Sequence, residues 1–187
     1  MRVEPIRNMK DINAIRKILA DKPRDLLLFN LGINSGIRVC DLLRLKVNDV
    51  KDCKINDRIV IKESKTGKTN VIIINKIVYN SIQNYLDHHE VKYEDEFLFK
   101  SRKGMNDPLT TYAVTMYVKK WCQEINLTNI NVGAHTLRKT HAYIMRKKYG
   151  VSWEVICKRM NHSNAAITRR YIGVQDDEVE EMLKNEI

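Results

Sequence analysis

The pattern of residues 58–74 limits this chain's choice of folds more than any other feature. Residues 58–62 (RIVIK) and 69–74 (TNVIII) are β-rich runs, and Glu63-Ser64-Lys65-Thr66-Gly67-Lys68 between them includes a glycine suited to a turn. Two such runs around a short turn predict an antiparallel hairpin, with residues 47–53 expected as a third strand. The rest of the chain has helical periodicity. Asn8 can cap a helix whose apolar stripe is Ile12, Ile15, Ile18 and Leu19. Pro23 suits the first turn of a second helix that runs through Leu26-Leu27-Leu28 and closes near Gly36, and Asp41-Leu42-Leu43 forms a short third. Further helices are expected at 76–89, 110–125, 136–149, 152–160, 163–171 and 176–186, punctuated by Gly133, Gly150 and Gly173. The expected fold is therefore mainly α with a small antiparallel sheet, an α+β domain spanning 1–187.

Composition narrows the function classes. At 187 residues the chain is long enough to bury a core, and 43% hydrophobic with 30% charged residues is ordinary for a soluble globular protein. No run approaches the roughly 18 apolar residues of a membrane span. Met1-Arg2-Val3-Glu4-Pro5 lacks the apolar stretch of a signal peptide, so a cytoplasmic protein with no membrane partner is expected. Cys40, Cys53, Cys122 and Cys157 include no Cys-x-x-Cys pair, which speaks against a zinc or redox motif and leaves them as reduced structural thiols. Lys and Arg outnumber Asp and Glu by 33 to 23, a net charge of +10. This suits a polyanionic partner, although charge alone does not separate a nucleic-acid binder from a merely basic protein.

Four clusters could carry chemistry. The first is Gly36-Ile37-Arg38-Val39-Cys40-Asp41-Leu42-Leu43, the second the hairpin turn with Lys65. In the third, His135-Thr136-Leu137-Arg138-Lys139-Thr140-His141, residues His135, Arg138 and His141 recur every three positions and are expected to share a helix face open to an anion. The fourth is Met160-Asn161-His162-Ser163-Asn164 followed by Thr168-Arg169-Arg170-Tyr171-Ile172. Each alone has an ordinary reading as a surface ion pair, a solvated turn, a solvated helix face or a core tyrosine. Together they form a kit for phosphodiester transfer. Arginine forks can hold non-bridging phosphate oxygens and stabilise the charge that builds there. A tyrosine nucleophile needs a base, which a histidine can supply, and the leaving 5′-oxygen needs an acid, which a lysine can supply.

In residue type, order and spacing these clusters resemble the tyrosine recombinase (phage integrase) family, from about residue 8 to the end of the chain. Family members carry an arginine followed three residues later by an acid and a leucine, matched by Arg38, Asp41 and Leu42. A hairpin lysine is matched by Lys65, and a His-x-x-Arg helix by His135 and Arg138. A later histidine is matched by His162, with a tyrosine nine residues on at Tyr171. The resemblance implies that Arg38 and Arg138 clamp the scissile phosphate and that His162 donates to it. It also implies that His135 takes part in proton transfer at Tyr171, that Lys65 protonates the 5′-hydroxyl, and that Asp41 buttresses the site. The implied product is a 3′-phosphotyrosine on double-stranded DNA, formed without cofactor, metal or ATP. Two positions depart from the family pattern: Lys139 stands where histidine is common, and Asn161 where glycine is usual.

Seven residues precede the first cap, so a catalytic domain without the family's N-terminal core-binding domain is expected. The acidic amphipathic segment 176–183 reads either as a solvated surface helix or as a tail docking on a neighbouring protomer through Val179, Met182 and Leu183. The family likeness implies the second, within a homo-oligomer on DNA that is expected to be a tetramer. Accessory DNA-bending proteins and an association with the nucleoid are further expectations. The alternatives are type IB topoisomerase-like relaxation of DNA and a non-catalytic DNA-binding relic of the fold.

Overall fold

Helix α2, Pro23–Ser35, is built to be surrounded. Leu27, Leu28, Phe29 and Leu31 are all fully buried, so its apolar residues cover the whole circumference rather than one stripe. Each such side chain contributes roughly 2 kcal/mol on burial. In the computed structural model, which describes residues 3–93, 95–173, 179 and 182–186, α2 is the axis of the fold. Helix α1, Met9–Ile18, starts at Asn8, whose side chain accepts from the Lys10 amide, and packs Ile12 and Ile15 inward. Helix α4, Lys76–Asp87, and helix α6, Ala134–Lys147, pack on α2. Gly32 permits the α6 approach, because a Cβ there would lie 2.8 Å from Leu137 Cδ1. Gly36 ends α2 in the left-handed conformation, and the short helix α3, Val39–Leu42, follows at once.

Strands β1, Arg58–Lys62, and β2, Thr69–Ile73, pair antiparallel with Val60 opposite Val71 and Lys62 opposite Thr69. Burial alternates along both, with Ile59, Ile61, Asn70 and Ile72 inward. The expected third strand at 47–53 is absent: residues 47–49 form a 3-10 turn instead, and β1 and β2 make a two-stranded sheet. The Asp49 carboxylate accepts from the Lys46 amide at 2.8 Å, a local bond that competes with strand pairing. Val47 and Val50 are both buried at helical rather than alternating spacing. Lys46, just before this turn, makes an isolated antiparallel bridge with Phe97 and not with the hairpin.

Helix α5, Thr111–Glu124, is capped by Thr110 and supplies Trp121, whose ring meets Phe29 edge-on. Helices α7, Trp153–Arg159, and α8, Ala165–Ile172, form a second, smaller core with Ala142, Met160 and Ile172 against Trp153 and Ile156. The expected helices thus exist, with ends shifted by one or two residues. The exception is 176–186, of which 176–178, 180 and 181 lie outside the described residues. Within it Val179, Met182 and Leu183 are exposed. No helix among the described residues is long and apolar enough to cross a membrane.

Candidate active site

The site forms where the two cores meet, and the backbone around Gly36 organises it. Gly36 leaves its carbonyl pointing at α6, where Arg138 Nη1 donates to it at 2.8 Å. Arg138 Nη2 donates to the Met160 carbonyl at 2.5 Å, so this 2%-exposed guanidinium ties the end of α2 to the end of α7. Burial, and then the charge of Arg38, lowers its pKa to about 10, which leaves it protonated at neutral pH. Arg38 precedes α3 with extended backbone, and its Nη1 donates to Glu63 Oε2 at 2.6 Å. Asp41 Oδ1 accepts from both the amide and the hydroxyl of Ser64, at 2.8 and 2.7 Å, so it grips the hairpin turn from α3. Lys65 is exposed on that turn, near enough for its charge to act on His135.

Tyr171 is in the last turn of α8. Its hydroxyl lies 3.4 Å from Nδ1 of His135, in the first turn of α6. The Lys139 ammonium lies 4.7 Å from the centre of the Tyr171 ring and also donates to the Val3 carbonyl. His162 meets the Tyr171 ring edge-on at 5.3 Å, and its Nδ1 lies 2.9 Å from the buried Thr168 hydroxyl. Asn161, just before it, adopts φ +50°, a left-handed conformation that asparagine tolerates better than most residues and that glycine would take freely.

Electrostatics hold both histidines neutral at pH 7. Burial, then the charges of Arg138 and Arg38, lowers His162 to about 4. Burial, then Arg138 and Lys139, lowers His135. A neutral His135 with its hydrogen on Nε2 can accept the tyrosine proton at Nδ1. With Thr168 as donor to His162 Nδ1, the His162 hydrogen resides on Nε2 and is available to an anion.

His141 does not join this group. Steps of three residues drift around a helix of 3.6 per turn, and six residues past His135 the side chain is buried against Gly36, with Nδ1 3.1 Å from the Ile33 carbonyl. On α6 the residues that remain beside Tyr171 and Arg38 are therefore His135 and Arg138. Glu63, Asn70, Arg159 and Thr168, none of which has a role of its own in the sequence clusters, join the hydrogen bonds around the site. Glu63 did leave a signal: the alternation that points Ile59 and Ile61 inward carries Glu63 inward as well.

The pattern of the phage integrase family matches residues 6–178. The chain belongs to that family. It is 34% identical over 176 residues to the probable integrase/recombinase YoeC of Bacillus subtilis (strain 168), covering 94% of this chain and 92% of that protein. It is 32% identical to the tyrosine recombinase XerA of Pyrococcus horikoshii, covering 92% of this chain but only 59% of the relative. Among solved structures, a XerA recombinase superposes with TM-score 0.78 at 19% identity over 98% of this chain and 67% of that one. A XerH site-specific recombinase bound to its difH substrate, in a post-cleavage complex, gives 0.75 at 20% identity over 97% of this chain and 53% of that one. These likenesses identify the helices and hairpin as the fold of a tyrosine recombinase catalytic domain. Within this integrase-family fold, His135 and Arg138 on α6 and Tyr171 on α8 come together with Arg38 just before α3 and His162 in the connection between α7 and α8, and Lys65 stands beside them on the hairpin.

Proposed function

We propose that the chain is the catalytic domain of a site-specific DNA recombinase that cleaves and rejoins strands through a 3′-phosphotyrosine at Tyr171. The observation that carries this is the Tyr171 hydroxyl facing His135 Nδ1 at 3.4 Å within a cationic cluster, in a chain of the phage integrase family. Arg38 and Arg138 hold the non-bridging oxygens, and His162 Nε2 donates to one of them. The tyrosine oxygen attacks phosphorus while its proton passes to His135. The bond to the 5′-oxygen breaks, and Lys65 gives that oxygen a proton. Attack by a 5′-hydroxyl of a partner strand reverses these steps. One phosphodiester-type bond replaces another, so the exchange requires neither ATP nor a metal.

Relaxation of DNA by a lone protomer and a non-catalytic relic are not favoured, because the named relatives are recombinases and integrases. The working assembly in this reading is a homo-oligomer, a tetramer on double-stranded DNA, with segment 174–187 exchanged between protomers and DNA-bending proteins assisting. The enzyme acts at the nucleoid in the cytoplasm.

A nicked suicide substrate tests the chemistry. A covalent adduct is expected to map to Tyr171, to form in EDTA without ATP, and to vanish in Tyr171→Phe. An adduct that persists in that variant would sink the reading. Strand exchange between two sites, set beside plasmid relaxation, separates recombination from simple swivelling.

A further inference from the structure

Glu63 lies 1% exposed at the end of β1, where an unpaired carboxylate would be strongly unfavourable. Donors surround it instead. Oε2 accepts from Arg38 Nη1 at 2.6 Å and from Thr66 Oγ1 at 2.7 Å, and Oε1 accepts from Asn70 Nδ2 at 3.0 Å. Asn70 Oδ1 in turn accepts from Arg159 Nη1 at 2.5 Å, and Arg159 also donates to the carbonyls of Ser35 and Val71. One carboxylate thus links the arginine before α3 to the turn that carries Lys65. Through Asn70 and Arg159 it also reaches the end of α7, two residues before Asn161 and three before His162.

The pair with Glu63 engages Arg38 Nη1. A guanidinium carries five N–H donors, so most of the fork remains for a phosphate. An arginine already anchored at one nitrogen needs little reorganisation when the phosphate arrives, which is where preorganised charge gains its effect.

We propose that Glu63 is a positioning residue for strand cleavage: it holds Arg38 and the Lys65 hairpin in register, and acts on the phosphate through Arg38 without touching it. The proposal rests on the reading of Tyr171 as nucleophile. Burial works to raise the Glu63 carboxyl, but hydrogen bonds from Thr66, Asn70 and Arg38 outweigh it and hold the group at about 2, so it stays charged near neutral pH.

The test is single-turnover adduct formation on the nicked substrate by the full chain, with binding to an intact site and thermal unfolding measured alongside. Glu63→Gln is expected to slow adduct formation by roughly tenfold or more, while DNA affinity stays within about threefold. Glu63→Asp, which keeps the charge on a shorter arm, is expected to recover part of the rate. A wild-type rate in Glu63→Gln overturns the proposal, as does slowing matched by an equal loss of affinity or unrelieved by aspartate. If Glu63→Gln does not fold, the aspartate variant decides: a slowed rate with intact binding and melting supports the proposal, and an unchanged rate overturns it. An unaltered chain that forms no adduct overturns the Tyr171 reading and this proposal together. An unaltered chain that forms the adduct beside an indifferent Glu63→Gln overturns the proposal alone.

Discussion

His141 is six residues from His135 on one helix, yet it serves the core. Burial, and then the charge of Arg159, lowers its pKa from 6.5 to about 4, so the folded protein holds it neutral. Between those values the unfolded chain binds the extra proton. Stability is therefore complete above about pH 6.5 and falls as pH drops toward 4, by about 3 kcal/mol at roughly 1.4 kcal/mol per unit. Urea unfolding at pH 7 and pH 4.5 should show a larger acid loss for the wild type than for His141→Gln. Equal losses would count against this account. Gly36 faces the same ring: at φ +62°, a Cβ there would lie 2.4 Å from His141 Cδ2. Gly36→Ala is expected to cost about 2–4 kcal/mol in denaturant unfolding, from strain and overpacking together. A glycine closing α2 was readable from the sequence. The histidine against it was not, because helical spacing alone does not say which side of α6 meets α2.

At the scale of elements, α8 depends most on its neighbours. Eight residues are too few for a stable helix in isolation, and Ile172 anchors this one in the small core with Trp153 and Ile156. Asn164 caps it by accepting from the Ile167 amide at 3.0 Å. Asn164→Ala should cost about 1 kcal/mol of stability. Because α8 carries Tyr171, adduct formation should fall while DNA affinity holds, and parallel gel-shift and suicide-substrate measurements check this. The hairpin was legible because its alternation and turn chemistry agree. The valines of 47–53 invite a strand, whereas Asp49 bonding back to the Lys46 amide favours a turn. Glu63 was within reach of the same alternation, but its partner Arg38 is 25 positions away in sequence and no local pattern pairs them.

For the whole molecule, a charge of +10 with a cationic site predicts binding dominated by phosphate contacts. Affinity of the chain for a short duplex should fall by roughly tenfold or more between about 50 and 200 mM salt, as counterion release requires. Salt-independent nanomolar binding would contradict this. Deleting residues 176–187 should reduce cooperative assembly on DNA in analytical ultracentrifugation, and unchanged assembly and cleavage would argue against tail exchange. By itself the sequence determined the helices, the hairpin and the order of the candidate catalytic residues, because caps, periodicity and spacing are local properties that survive without contacts. Only the tertiary structure decided that His141 belongs to the core and that Glu63 belongs beside Arg38. Burial and charge pairing between distant segments arise when helices and hairpin pack together, and no window of sequence contains them.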